Sequence, residues 1–79
     1  MHATPAAWAI KQFGGVQRLA RVVGRSRSSI YRWRDGWRKG DTPGDIPPRC
    51  QRKILAEARA RRIDLTAADL IEGRELATA

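Results

Sequence analysis

Apolar residues recur along this chain at the spacing of helices rather than strands. Ala6, Ala9, Ile10 and Phe13 fall on one helical face. Thr4 and Pro5 ahead of them form a start signal, a capping hydroxyl followed by proline at the first helical position. Gly14 and Gly15 stop the run, which predicts a helix over 5–13. Val16, Leu19, Ala20 and Val23 repeat at i, i+3, i+4 and i+7, which predicts a second helix over 16–23 closed by Gly24. Ser26 can cap a third over 27–34, with Ile30 and Trp33 inward and an end near Asp35-Gly36.

Residues 36–46 are rich in Gly, Pro and Asp and read as a loop. Pro47 and Pro48 suit the first turn of a fourth helix, whose stripe is Cys50, Ile54, Leu55 and Ala58 and whose end is about residue 61. Thr66 with Asp69 fits a capping box, with Asp in place of Glu, and opens a short fifth helix carrying Leu70 and Ile71 inward. Gly73 ends it. No segment alternates with period two for long enough to predict a strand, and no internal repeat is present. The expected fold class is all-α, four to five short helices in one domain over 1–72, with 73–79 a flexible tail.

Some side chains fall outside these stripes. Trp8 is off the apolar face of its helix, available to a later element or to a second subunit. Trp37 either covers the core or touches a nucleic-acid backbone. Ile63, Leu65, Leu70, Ile71 and Leu76 either form a dimer surface or close the monomer core. Cys50 reads as a small core residue, and His2 as an isolated histidine at a flexible end with no role.

Charge changes this picture from fold to partner. The chain of 79 residues has a formal net charge of +8, with Lys and Arg outnumbering Asp and Glu 16 to 8. From Lys11 to Lys39 there are nine basic residues and a single acid, Asp35. From Asp64 onward the acids Asp64, Asp69, Glu72 and Glu75 face one base, Arg74. The first half is therefore built for a polyanion, and the end of the chain is not. One cysteine permits no internal disulfide and suits a reducing cytoplasm. No apolar run reaches membrane-spanning length, and the start lacks the layout of a signal peptide, so a soluble cytosolic protein with no membrane partner is expected. No His/Cys cluster suits a metal, no histidine is placed with a nucleophile, and no glycine-rich phosphate loop follows a strand. An enzyme is not expected, nor a cofactor, a metal or a small-molecule effector.

Two short helices joined at a glycine suggest a helix-turn-helix. Such a unit needs a small residue where its helices cross, a turn residue that tolerates positive φ, and a second helix apolar on its inner side only. Ala20, Gly24, Ile30 and Trp33 meet these needs, with Leu19 and Val23 beneath. Arg27, Tyr31 and Arg34 then share one outward face at i, i+4 and i+7, with Ser28 and Arg32 beside them. Arginine reads guanine through O6 and N7, so Arg27 and Arg32 are the expected base readers, supported by Ser28 and Tyr31. Tyr31 could equally be a plain exposed tyrosine. Gln17, at the start of the second helix, is placed for a phosphate. Arg25, Ser26, Ser29, Arg34, Arg38 and Lys39 are the other phosphate candidates.

The stretch "GGVQRLARVVGRSRSSIYRWR" resembles the helix-turn-helix of the phage repressor and Cro family. Its Ala–Gly–aliphatic–bulky apolar spacing is matched at all four places. The continuation "IPPRCQRKILAEARARRIDLTAADLI" is similar to small Cro-like proteins of the carph-isopro type. The shared marks are FGG before the motif, RWR near its end, I-P opening the next helix and an L-T-x-x-D-L-I close. Together these cover residues 10–71, and one departure is the long loop "RDGWRKGDTPGDIP". The resemblance implies that Ser26 begins the recognition helix and that Arg27, Ser28, Tyr31 and Arg32 face the groove. It also implies a bacterial or phage-encoded regulator, associated with the nucleoid when bound. The expected function is sequence-specific binding of double-stranded DNA as a repressor that occludes a promoter. A single short reading helix covers few base pairs, so a homodimer on an inverted repeat is expected, with half-sites roughly 34 Å apart. The alternatives are an excisionase-like architectural protein and a protein-binding module such as an antitoxin or anti-repressor.

Overall fold

The computed structural model describes residues 1–36 and 42–76. Its elements are β1 (His2–Ala3), α1 (Pro5–Phe13), α2 (Val16–Val23), α3 (Arg27–Asp35), α4 (Pro48–Ala60), α5 (Ala67–Glu72) and β2 (Arg74–Glu75). The all-α architecture is as expected. The first two helices keep their predicted bounds, and α3 runs one residue further, to Asp35. The start signals work as read. The Ala7 amide donates to Thr4 Oγ1 at 3.2 Å, and the Ser29 amide donates to Ser26 Oγ at 3.3 Å. Thr66 and Asp69 form both halves of the capping box.

Helix α2 is the hub. It packs against α1, α3 and α4, while α1 also meets α3 and α5. Leu19 and Val23 of α2, Ile30 of α3 and Ile54 of α4 are the largest fully buried side chains among the described residues. Burying each such aliphatic side chain favours folding by about 1.5–3 kcal/mol. Gly24 closes α2 at φ +68°, ψ +34°, a left-handed conformation that lets the chain turn at once into α3. The Arg25 amide donates to Ala20 O at 3.0 Å and completes that turn. Lys53 Nζ donates to Val23 O at 3.4 Å, so α4 helps satisfy the carbonyl end of α2.

The expectation of no strands is corrected at the chain ends. Strands do occur: His2 pairs with Glu75 and Ala3 with Arg74 in antiparallel register. Two residues per strand are too few to leave a period-two signal, and the pairing joins residues from opposite ends of the chain. Next to this pairing, the Leu76 amide donates to Met1 O at 2.7 Å. Residues 77–79 lie outside the described residues. His2 also has partners, with Nδ1 3.2 Å from Glu75 Oε2 and Nε2 2.9 Å from Glu72 O.

Beside this clasp lies the knot that explains Trp8. Arg74 stacks on the Trp8 ring at 4.5 Å and donates to both Asp64 and Asp69. Trp8 Nε1 donates to Asp64 O at 3.2 Å, so this tryptophan packs on the end of its own chain. Leu65 and Leu70 are buried in the same core, with Ile63 and Leu76 packed against it, while Ile71 is exposed. Of the two readings of the C-terminal apolar residues, closure of the monomer core describes Leu65 and Leu70.

The Arg74 guanidinium holds the carboxyls of Asp64 and Asp69 below the usual carboxylate range, and they in turn raise its own pKa. Depressed carboxyl pKa values contribute stability that is present above the unfolded value and lost as pH falls through the folded one. An Arg74→Met variant should therefore be less stable than the parent at neutral pH. The gap should narrow as pH falls into the acid range, as read by urea unfolding at a series of pH values. A gap independent of pH would mean that Arg74 acts by packing alone.

Candidate nucleic-acid interface

Ile30 and Trp33 decide which way α3 faces. Ile30 is completely buried, and Trp33 is half-buried against the core. Arg27, Ser28, Tyr31 and Arg32 are exposed, as are Gln17 and Arg25. Tyr31 is one of three large apolar or aromatic side chains left exposed among the described residues, at 44 %. Ser26 and Ser29 have local work: they form the cap of α3, with their hydroxyls 3.3 Å apart. Arg38, Lys39 and Trp37 lie outside the described residues.

Between the start of α2 and the outer side of α3 the surface is concave. This open hollow of about 520 Å³ is lined by Gln17, Arg18, Arg21, Arg27 and Tyr31 over the glycine pair that precedes α2. Three arginines border it and no carboxylate does. The first turn of α2 adds amide N–H groups that lack intrahelical acceptors, at the positive end of the helix dipole. An anion with several acceptor oxygens fits such a surface. Gln17, Arg27 and Tyr31 were expected from the sequence and are brought together here.

Arg18 and Arg21 were not singled out in the sequence. The signal for them was available: they lie three residues apart, opposite the stripe of Val16, Leu19, Ala20 and Val23. Taken alone they look like any solvated arginines. Only the approach of α3 turns them into the second wall of a cationic hollow.

Arg34 behaves differently from the other expected cations. Its Nε donates to Asp35 Oδ1 at 2.7 Å and its second terminal nitrogen to Asp35 Oδ2 at 2.9 Å. Its guanidinium also stacks on Tyr31 at 4.8 Å from the ring centre. The Asp35 carboxylate raises the Arg34 pKa, and Arg34 holds the Asp35 carboxyl below the usual range.

The residues 6–44 match the family model of a homeodomain-like domain. This segment is a helix-turn-helix. It takes in α1, α2, α3 and the junction at Gly44, and leaves α4, α5 and the terminal clasp outside the matched span. No curated protein and no solved structure matches the chain. A helix-turn-helix of this kind is a DNA-binding module. Among the described residues no helix is long and apolar enough to cross a membrane, and no group of His, Cys, Asp or Glu could hold a metal ion.

Proposed function

We propose that this protein is a sequence-specific regulator of transcription that reads double-stranded DNA with α3 and represses by occluding a promoter. The observation that carries this reading is the two-sidedness of α3. Ile30 is sealed in the core while Arg27, Ser28, Tyr31 and Arg32 face outward beside a cationic hollow free of carboxylates. In this reading Arg27 and Arg32 contact base edges, with Ser28 and Tyr31 supporting them. Gln17 and Arg25 hold backbone phosphates, with Arg18 and Arg21 joining them and the Ser26–Ser29 cap close by. The helices α4 and α5 after the helix-turn-helix suit a Cro-like repressor. A homodimer on an inverted repeat follows from how few base pairs one short helix can read.

Selection of bound sequences from a random duplex library would return the operator and its symmetry. On that operator, Arg27→Ala with Arg32→Ala should weaken binding by about 2–6 kcal/mol at physiological salt, each base-reading arginine counting for about 1–3 kcal/mol. A folded double variant that binds the operator with unchanged affinity would defeat the assignment of α3. Arg21→Ala should act differently. It should weaken operator and mixed-sequence duplex alike and flatten the dependence of log affinity on log salt by about 0.9, the value for one phosphate contact.

A further inference from the structure

Asp35 is out of place by every local rule. It is the single acid between Lys11 and Lys39, in the segment otherwise built for a polyanion. It is also the last residue of α3, where the helix dipole disfavours a negative charge. Neighbours at i and i+1 do not ordinarily face each other on a helix. Yet Asp35 and Arg34 reach around to form a two-point pair, at 2.7 and 2.9 Å, in the fork geometry that arginine uses for a phosphate. Both side chains are about half exposed, so burial does not force the pair together. Arg34 stays on the outward face with Arg27 and Tyr31, stacked on the Tyr31 ring.

Resting on the proposed DNA-binding function, we infer that Asp35 is an internal phosphate mimic that withholds Arg34 from the DNA backbone and so limits sequence-independent affinity. The carboxylate occupies the guanidinium edge that a phosphate oxygen pair would take. The Arg34–Asp35 pair is thereby neutral, while Arg32, the beginning of the helix and the hollow beside it keep their positive charge. A protein of net charge +8 binds any duplex through phosphate contacts and counterion release. Every cation removed from that set lowers affinity for all sequences alike. It leaves discrimination to the base-reading side chains, so Asp35 sets the ratio of specific to general binding.

The test is a salt titration of binding to a short duplex of mixed sequence, with the parent, Asp35→Asn, Arg34→Gln and the double variant. Asp35→Asn removes a charge that opposes the helix dipole, so folding is retained, and circular dichroism checks this. It should steepen the log affinity against log salt slope by about 0.9, one added phosphate contact. Lowering salt from about 200 to 50 mM should then strengthen its binding roughly threefold more than that of the parent. The double variant should return to the parent slope, because no arginine is left to release. An unchanged slope in Asp35→Asn overturns the inference. So does a gain that persists without Arg34, which would make Asp35 a simple repulsive charge. Binding by the parent with either of these results leaves the proposed function standing. No binding by any of the four proteins at about 50 mM salt would remove both.

Discussion

Gly44→Ala is expected to abolish the folded state at ordinary temperature. Gly44 has φ +92°, a conformation that costs a residue with a side chain about 1–3 kcal/mol. A Cβ at this position would also collide with the Thr4 side chain. The space cannot simply open, because the backbone of Gly44 is pinned on both sides. Its amide donates to Trp33 O at 2.6 Å, and its carbonyl accepts from the Ala6 amide at 2.8 Å. One residue thus ties the last turn of α3 to the first turn of α1. Thr4 is at the same time the cap of α1, so displacing it removes a second contribution of about 1 kcal/mol. A domain of this size has only about 4–12 kcal/mol in total. Thermal unfolding followed by circular dichroism measures the loss. A cooperative transition within a few degrees of the parent would show that the junction yields, and that Gly44 is not the tie described.

Ile30→Ala is the second large effect, expected at about 2–5 kcal/mol from the lost transfer energy and the cavity left behind. Ile30 has no exposed surface, and it is the one buried side chain in α3. Helix α3 is otherwise polar and has few other anchors. The half-buried Trp33 and the Trp33–Gly44 bond remain, so the variant should lose the fixed tilt of α3 along with stability. Ile30→Val removes one methylene and should cost about 0.5–1.5 kcal/mol, leaving a folded protein. Urea unfolding of the pair gives the comparison. Equal losses in the two would mean that the pocket around residue 30 collapses freely, and that Ile30 is not what fixes α3.

The parts legible in the sequence are those whose determinants lie within one turn of helix. Thr4 with Pro5, Ser26, and Thr66 with Asp69 each announced a helix start that the structure contains. Gly24 and the spacing from Ala20 to Trp33 announced the helix-turn-helix, and the matched span 6–44 bears out that much. What stayed hidden depends on residues far apart in sequence. Nothing near Arg74 says that it will sit on Trp8, or that it will take one carboxylate from α5 and one from the connector before it. Nothing near His2 says that it will lie beside Glu75. The same holds at the interface. Arg18 and Arg21 share the outer side of α2, but only the approach of α3 makes that side one wall of a hollow. Arg34 shows the opposite failure. Its helical position was read correctly, and its neighbour was overlooked because adjacent residues on a helix are not expected to pair.

The two ends of the connection that follows α3 are anchored almost at one point. The Gly36 amide donates to Arg32 O, and the Gly44 amide to Trp33 O, the adjacent carbonyl. Pro43 lies against Gly36, its Cγ only 3.1 Å from where a Cβ would stand. The chain therefore leaves the helix and returns to it through a narrow neck. That neck fixes the placement of α3 on α1, through backbone bonds that run from Trp33 O to the Gly44 amide and from the Gly44 carbonyl to the Ala6 amide. For an engineer, Gly36, Pro43 and Gly44 are therefore the residues to leave untouched when the orientation of α3 is to be kept.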